Sequence, residues 1–410
     1  MPAARLLDLT RLVSRVGRGP LTGIDRVERA YLDALILQPE PLFALIRTTL
    51  GYVLLAPPGV AALRARLTGA AAWGSADLIG RLSQRRNPMR ARAEADLRRL
   101  AQGRARPSGL SRLLARHLPA GTAYLNVGHS DLARVVFDAV RQLPGARITV
   151  MIHDTIPLDH PDFAVAGMPA AFAARLERVG AVADLVLYNS GYSRRMAEAA
   201  FGRWGRVPPG LVAPLGVEPV APDPALLPPG LDLAPPYFLA LGTIEPRKNL
   251  GFLLDLWEDL GRDPPPTGLP RLLIVGQRGW ADPALLARLD ALPPGGPVRD
   301  LGGLPDGAVA ALMAEAAGLL FPSLAEGYGL PPIEAAALGL PVVCNPLEIY
   351  QETLGNYPVY APVRDRYLWR KAVTDLTARA GGSSGATGQR QAAVPAPSWE
   401  RHFKPVLRLT

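Results

Sequence analysis

A chain of 410 residues with 49% hydrophobic content is longer than one core ordinarily supports and apolar enough to fill two, so two domains are expected. The one cysteine, Cys344, excludes an intrachain disulfide and fits a reducing compartment, and its place after Pro341-Val-Val reads as a buried strand residue. The net charge of +9 rests almost wholly on arginine: of 45 basic residues only Lys248, Lys371 and Lys404 are lysines, so a lysine inside a motif stands out.

In chain order, Leu6 to Val13 reads as a first strand, and Gly17-Arg-Gly-Pro-Leu-Thr-Gly23 opens a helix over Ile24 to Leu37. The order is that of the first turn of a Rossmann-like unit, but the glycine spacing is not the dinucleotide fingerprint and no matching acid follows. Pro41 to Pro58, the most apolar early segment, is interrupted by Arg47 and closed by Pro57-Pro58; it reads as a strand pair rather than a membrane span. No signal-peptide pattern is visible ahead of it, and a cytoplasmic protein is expected.

Between Arg81 and Arg116 eleven arginines stand against Glu94 and Asp96, interleaved with Leu82, Leu97, Leu100, Leu110, Leu113 and Leu114. This reads as basic amphipathic helices broken around Pro88 and Pro107. A solvated arginine face and peripheral docking on an anionic membrane are the two open readings, clustered cations contributing about 1 kcal/mol each at such a surface. Nucleic acid is set aside, because no recognised module or aromatic platform accompanies the charge.

Strands are expected at Ala123 to Val127, Ile148 to Ile152 and Leu185 to Tyr188, followed by Gly128-His129-Ser130, His153-Asp154 and Asn189-Ser190. Those C-terminal ends are where open α/β sheets place their ligands. The run His153-Asp154-Thr-Ile-Pro-Leu-Asp159-His160-Pro-Asp162 invites a metal reading, but no distant His and Cys cluster completes a shell and Ile156-Pro157-Leu158 is a stiff apolar break, so no metal is expected. A structural histidine remains an alternative for His153 and, equally, for His129.

Seven prolines and little periodicity mark 217–236 as a linker. The alternation then restarts. Strand Tyr237 to Leu241 leads into Gly242-Thr243-Ile-Glu-Pro-Arg247-Lys248-Asn249 and a helix through Leu260, and strand Leu272 to Val275 leads into Gly276-Gln-Arg-Gly-Trp280. Repeated strand and helix pairs imply a parallel sheet. Arg247 and Lys248, just beyond a strand and near a helix N-terminus, make a site for a leaving diphosphate.

Next comes the strand Gly318 to Pro322, the stretch Glu326-Gly327-Tyr328-Gly329-Leu330-Pro331-Pro332-Ile333-Glu334, and a helix over Ile333 to Leu338 ended by Gly339. A glycine-rich turn at a helix N-terminus favours an anion such as a diphosphate, and a carboxylate on each side can accept sugar hydroxyls. The plain alternative is that Glu334 satisfies the helix dipole and Glu326 is a loop charge. Ala380 to Pro397 is rich in Gly, Ser, Ala and Pro, hence a flexible connection, and a last amphipathic helix is expected over Trp399 to Leu407.

Glu326-x7-Glu334, with Phe321-Pro-Ser before it and Ala335-Ala-Ala-Leu-Gly-Leu-Pro341 after it, resembles the signature of glycosyltransferase family 4, retaining enzymes of the GT-B fold. The resemblance implies an α/β protein of two Rossmann-like domains facing across a cleft: an acceptor-side domain at 1–216, the linker 217–236, a nucleotide-sugar-binding domain at 237–385, and 386–410 as a flexible segment and a helix crossing back, anchored by Trp399 and Phe403. It implies donor-sugar hydroxyls on Glu326, the nucleotide ribose on Glu334, and diphosphate on Lys248. Arg247 departs from the commonest pattern, in which the arginine precedes the lysine by several residues, near Thr243 here.

The implied donor site is Gly23, Gly242, Thr243, Arg247, Lys248, Glu326, Gly327, Tyr328, Gly329, Leu330 and Glu334. The implied catalytic group is His153, on the acceptor side near the donor sugar's hydroxyls, Asp154 orienting it, Lys248 and Glu326. The expected reaction moves a sugar, mannose or another hexose or deoxyhexose, from a nucleoside diphosphate sugar to a glycan or lipid-linked acceptor hydroxyl in surface polysaccharide assembly. Retention is expected through same-face displacement, with no cofactor beyond the donor. A catalytically silent nucleotide-sugar or glycan-binding scaffold and a sugar epimerase are the alternatives.

Overall fold

Short apolar runs that do not alternate with polar residues suit strands buried on both faces, and here they build two separate, mostly parallel sheets. The computed structural model describes residues 1–84, 87–233, 236–381 and 390–410. Two compact units emerge: Met1–Thr155 with Ala170–Leu215 and Trp399–Thr410, and Ile156–Pro169 with Gly216–Ser398.

The first unit holds β1 (Ala4–Asp8), β2 (Leu42–Thr48), β3 (Gly51–Leu55), β4 (Gly103–Ala105), β5 (Thr122–Asn126), β6 (Arg147–Ile152), β7 (Leu185–Tyr188) and β8 (Gly210–Val212). Their order is β4-β3-β2-β1-β5-β6-β7-β8, with β3 antiparallel to both its neighbours and the remaining pairs parallel. The chain runs outward in opposite directions from β1 and β5, so the crevice at their C-terminal ends is the switch point of this sheet.

The expected strand over Leu6 to Val13 is corrected. Strand β1 stops at Asp8, whose carboxylate accepts the Thr10 N–H at 3.0 Å, and a short helix Thr10–Ser14 follows with Leu12 and Val13 buried. A buried strand and a buried helical turn give the same apolar run. The closing helix is Trp399–Leu409, two residues longer than expected, with Pro405 inside it, and it packs within the first unit. Phe403 is buried and Trp399 half-buried, but the fully buried anchor is His402.

The second unit holds β9 (Tyr237–Leu241), β10 (Arg271–Val275), β11 (Val298–Asp300), β12 (Gly318–Phe321), β13 (Val342–Cys344) and β14 (Val359–Tyr360), all parallel in the order β11-β10-β9-β12-β13-β14. Here the switch point lies between β9 and β12. Phe238, Phe252, Trp257 and Trp369 fill the core on one face, and Cys344 is buried in β13, its thiol pushed up to about 12 by burial.

The described part of 217–236 is no free tether. It belongs to the second unit, where Asp223 donates its N–H to the Gly307 carbonyl at 3.0 Å and a 3-10 turn spans Pro224–Leu226. The Gly and Ser-rich stretch expected to be flexible falls partly on 382–389, outside the described residues. No helix among the described residues is long and apolar enough to cross a membrane.

Candidate active site

The loops that leave β9 and β12 are stitched together. Gly242, with φ +129°, lets the chain turn out of β9, and a Cβ on Gly276 would stand 1.9 Å from the Gly242 carbonyl oxygen, so only glycine fits where the β9 and β10 loops touch. Pro246–Lys248 forms a 3-10 turn, and Asn249 in the left-handed conformation then redirects the chain into the helix Leu250–Arg262. Leu324 donates its N–H to the Arg247 carbonyl at 2.8 Å, and Arg247 Nη1 donates to the Ala325 carbonyl at 3.2 Å.

Those bonds bring Arg247, Lys248 and Glu326 together. Lys248 Nζ is hydrogen-bonded to Glu326 Oε1, Arg247 Nη1 lies 2.8 Å from Oε2, and Arg247 Nε lies 3.1 Å from Glu245. Lys248 and Glu326 are both buried, and Nζ also sits 4.5 Å from the centroid of the Phe321 ring. Burial favours the neutral form of each. For Glu326 the opposing pull of Arg247 and Lys248 prevails, holding its carboxyl at about 2, whereas burial keeps Lys248 below the ordinary lysine range despite Glu326. Each Glu326 oxygen retains lone-pair capacity for a ligand hydroxyl.

The helix after β12 is Leu330–Ala337, starting three residues before the expected Ile333, with prolines in its first turn and Gly329 at its N-cap. Gly329 has φ +86°, and a Cβ there would meet the Tyr350 ring at 2.6 Å. Glu334 is the fifth residue of this helix and half-buried, and no acid occupies the first turn, which removes the reading of Glu334 as a first-turn charge. Thr243 is half-buried and Tyr328 buried in the two loops.

The first unit gathers a different set at its own switch point. His153, buried just beyond β6, has Nε2 2.7 Å from the Val127 carbonyl oxygen; a carbonyl only accepts, so Nε2 carries the proton and Nδ1 the lone pair. Burial lowers His153 to about 4, so it is neutral at pH 7. The His129 ring packs edge-on to it at 5.4 Å, with His129 in the left-handed region at φ 55°, and burial lowers its pKa well below the ordinary value. The Val127 carbonyl fixes one nitrogen of His153, and Asp154 follows it in the loop, half-buried. Gly23 is the first residue of the helix Gly23–Leu35, whose N-terminus carries its own anion, since Asp25 accepts from Thr22 N–H at 2.8 Å and from Arg11 at 2.8 Å.

Sequence reasoning passed over Asp8, Glu28, Tyr124 and Asn126. Tyr124 donates its hydroxyl to Asp8 Oδ2 at 3.0 Å and accepts from Asn126 at 3.1 Å, while Glu28 accepts the Leu12 N–H at 2.8 Å. Burial raises Asp8 to about 7 and Glu28 well above the ordinary carboxylate range. The signal was available: Asp8 and Asn126 close the two strands that flank the switch point. Among the described residues no group of three or more His, Cys, Asp or Glu is arranged to hold a metal ion.

The middle of the arginine-rich stretch is tied into the fold. Arg90 pairs with Glu94 at 3.1 Å, Arg92 donates to the Gly74 carbonyl at 2.9 Å, Arg98 donates to Asp77 at 2.8 Å and Arg99 pairs with Asp96 at 2.7 Å. Leu97, Leu110, Leu113 and Leu114 are core residues, whereas Leu82 is exposed beside Leu78 and Ile79. The interleaved leucines therefore serve mainly the interior. Arg85 and Arg86 lie outside the described residues.

Residues 235–378 match the family model described as glycosyl transferases group 1. The chain is 38% identical over 130 residues to O-antigen chain mannosyltransferase B of Escherichia coli, covering 32% of this chain and 33% of that protein. It is 29% identical over 230 residues to the serotype-specific mannosyltransferase WbdA of Escherichia coli, covering 53% of this chain and 28% of WbdA. The chain thus spans about a third or less of the length of these relatives. HepE of Anabaena, solved in complex with UDP-glucose, superposes with a TM-score of 0.59 over 99% of each chain at 14% identity, a likeness of fold. Residues 235–378, most of the second unit, thus match the glycosyl transferases group 1 model, and the chain has the GT-B fold.

Proposed function

We propose that this protein is a retaining glycosyltransferase that moves a hexose from a nucleoside diphosphate sugar to a hydroxyl of a glycan or lipid-linked acceptor in surface polysaccharide assembly. The observation that carries the reading is the Arg247, Lys248 and Glu326 cluster at the switch point of the second sheet. Lys248 and Arg247 are the cations that stabilise the departing diphosphate, whose charge grows as the glycosidic bond breaks. Glu326, ionised at any physiological pH, accepts hydroxyls of the transferred sugar, and Glu334 accepts those of the ribose. The amides of Gly327 and Gly329 complete the anion cradle.

The mannosyltransferase names of the two Escherichia coli relatives favour mannose as the sugar. His153, neutral and with its Nδ1 lone pair available, is an acceptor-side residue that takes a hydroxyl hydrogen bond without adding charge. The cations supply the stabilisation that a metal would otherwise provide. Peripheral attachment to the inner face of an anionic membrane belongs to the same reading.

The test is a thermal-shift screen of nucleoside diphosphate sugars, then product analysis by mass spectrometry and assignment of the anomeric configuration by NMR. A rise in melting temperature with a mannose donor and a product of unchanged configuration are expected. The reading fails if no such donor binds, or if the product is inverted.

A further inference from the structure

Four arginines of the basic stretch differ from their neighbours. Arg104 lies on the edge strand β4, Arg106 follows it, and Arg112 and Arg116 lie one turn apart on the helix Leu110–His117. Together with Ser108 and Leu113 they line a cavity of about 360 Å³ in the first unit. All four are exposed, and no ion pair or side-chain hydrogen bond engages their guanidinium groups among the described residues. The contrast with Arg90, Arg98 and Arg99, each held by an acid nearby, is sharp.

The backbone adds to the same field. A 3-10 turn Pro107–Gly109 runs directly into the helix, no side chain caps either segment, and no acid occupies the first turn of either. The positive end of the helix therefore faces the cavity without an internal counter-charge. Four like charges around one concavity repel one another, and an anion shared among them relieves that repulsion. Guanidinium groups present paired N–H donors that match phosphate oxygens, and the volume exceeds a single phosphate, leaving room for a diphosphate or a phosphate with its substituent.

We propose that this cavity is a binding site for a phosphate-bearing anion, separate from the diphosphate site at Lys248. The ligand is a phosphomonoester or diphosphate group, supplied by a lipid headgroup or by a soluble compound.

Calorimetry of the full chain with inorganic pyrophosphate is the first measurement, since both sites should take this probe. Wild type is expected to show two binding events. The variant carrying Arg104→Gln, Arg106→Gln, Arg112→Gln and Arg116→Gln should lose one of them, and Lys248→Ala should lose the other. All four arginines are exposed, so folding is expected to survive, and circular dichroism checks it. A control removes four exposed arginines elsewhere, Arg134, Arg203, Arg379 and Arg408, and should keep both events.

Cosedimentation with phosphatidylcholine vesicles, with and without phosphatidic acid, whose headgroup is a phosphomonoester, separates the sources. A lipid ligand is indicated if wild type binds only the anionic vesicles, the cavity variant does not, and pyrophosphate competes. A soluble ligand is indicated if wild type ignores both vesicles yet retains the cavity event. The proposal is overturned if the cavity variant binds pyrophosphate as wild type does, or if the control loses binding to the same extent as the cavity variant.

Discussion

Lys248 and Glu326 form a buried ion pair between the loop after β9 and the loop after β12, joining positions 78 residues apart at the switch point of the second sheet. Removing Lys248 leaves the buried Glu326 carboxylate with the Arg247 guanidinium on one oxygen and no cation on the other. Lys248→Ala should lower kcat/KM about a hundredfold, the cost of one preorganised charge at a developing anion. It should also destabilise the second unit by about 3 kcal/mol, because Glu326 is then unpaired on one oxygen. Steady-state kinetics and urea unfolding read the two effects separately, and near-normal turnover would remove the diphosphate role.

The two glutamates should separate by ligand. Glu326→Gln is expected to weaken an intact nucleoside diphosphate sugar more than the free nucleoside diphosphate, since only the former carries the sugar hydroxyls. Glu334→Gln should weaken both alike. Calorimetry with each ligand decides it, and equal losses for both ligands in both variants would falsify the division.

Gly329 is the backbone position on which the turn into the helix Leu330–Ala337 depends. Gly329→Ala meets two penalties: a left-handed conformation costs an L-residue about 1–2 kcal/mol, and the new Cβ would press on the buried Tyr350 ring at 2.6 Å. A loss of about 2 kcal/mol or more of stability is expected, with weakened nucleotide binding. Thermal melts with and without nucleoside diphosphate are the measurement, and an unchanged melting temperature would show that the turn adapts.

The first unit carries opposing pH dependences. Burial lowers His153 and His402 from 6.5 to about 4, so the unfolded chain takes up protons first as pH falls, and each residue withdraws on the order of 3 kcal/mol of stability between those values. Asp8 runs the other way. Raised from 3.8 to about 7, it holds a proton in the folded state that the unfolded state has released, so its contribution is best below its unfolded pKa and declines as pH rises toward 7. Asp8→Asn removes that acid-side gain. The variant should therefore lose more stability than wild type on acidification from about pH 6.5 to about pH 4.5, as read by exchange of β1, β5 and β6 amides corrected for intrinsic rates. Equal slopes would show that Asp8 is ionised in the folded protein.

The second half of the chain was the more legible. Strand Tyr237–Leu241 falls where its apolar run ends, because a fully buried parallel strand is bounded by the first polar or glycine residue. Lys248 and Glu326 stood out through their residue types and their places after strands, but their mutual contact follows from the strand order, which no local pattern encodes. Asp8 was hidden by a boundary error: with the strand drawn through to Val13, an acid at a strand end reads as an interior residue. His402 was hidden differently. A histidine in an amphipathic helix reads as polar surface, and contacts distant in sequence make it an anchor: the Tyr31 hydroxyl 2.8 Å from its Nε2, and the Ala213 and Pro214 carbonyl oxygens 3.1 and 3.0 Å from its Nδ1. The arginine-rich stretch carries less free charge than the count over Arg81 to Arg116 suggested, because its counter-charges include Asp77, which lies just before that window.

The scarcity of lysine gives the second unit a built-in spectroscopic and chemical handle. Lys371 and Lys404 are exposed while Lys248 is buried against Glu326, so an amine-directed reagent should mark the first two rapidly and the third slowly. Burial also keeps Lys248 below the ordinary lysine range, so once the reagent reaches it, a larger share of its amine is in the reactive neutral form. With so few amines in the chain, peptide mapping can follow this one nitrogen almost without background. Protection of Lys248 against labelling by an added nucleoside diphosphate then reads binding at this one nitrogen directly, independent of turnover and of any knowledge of the acceptor.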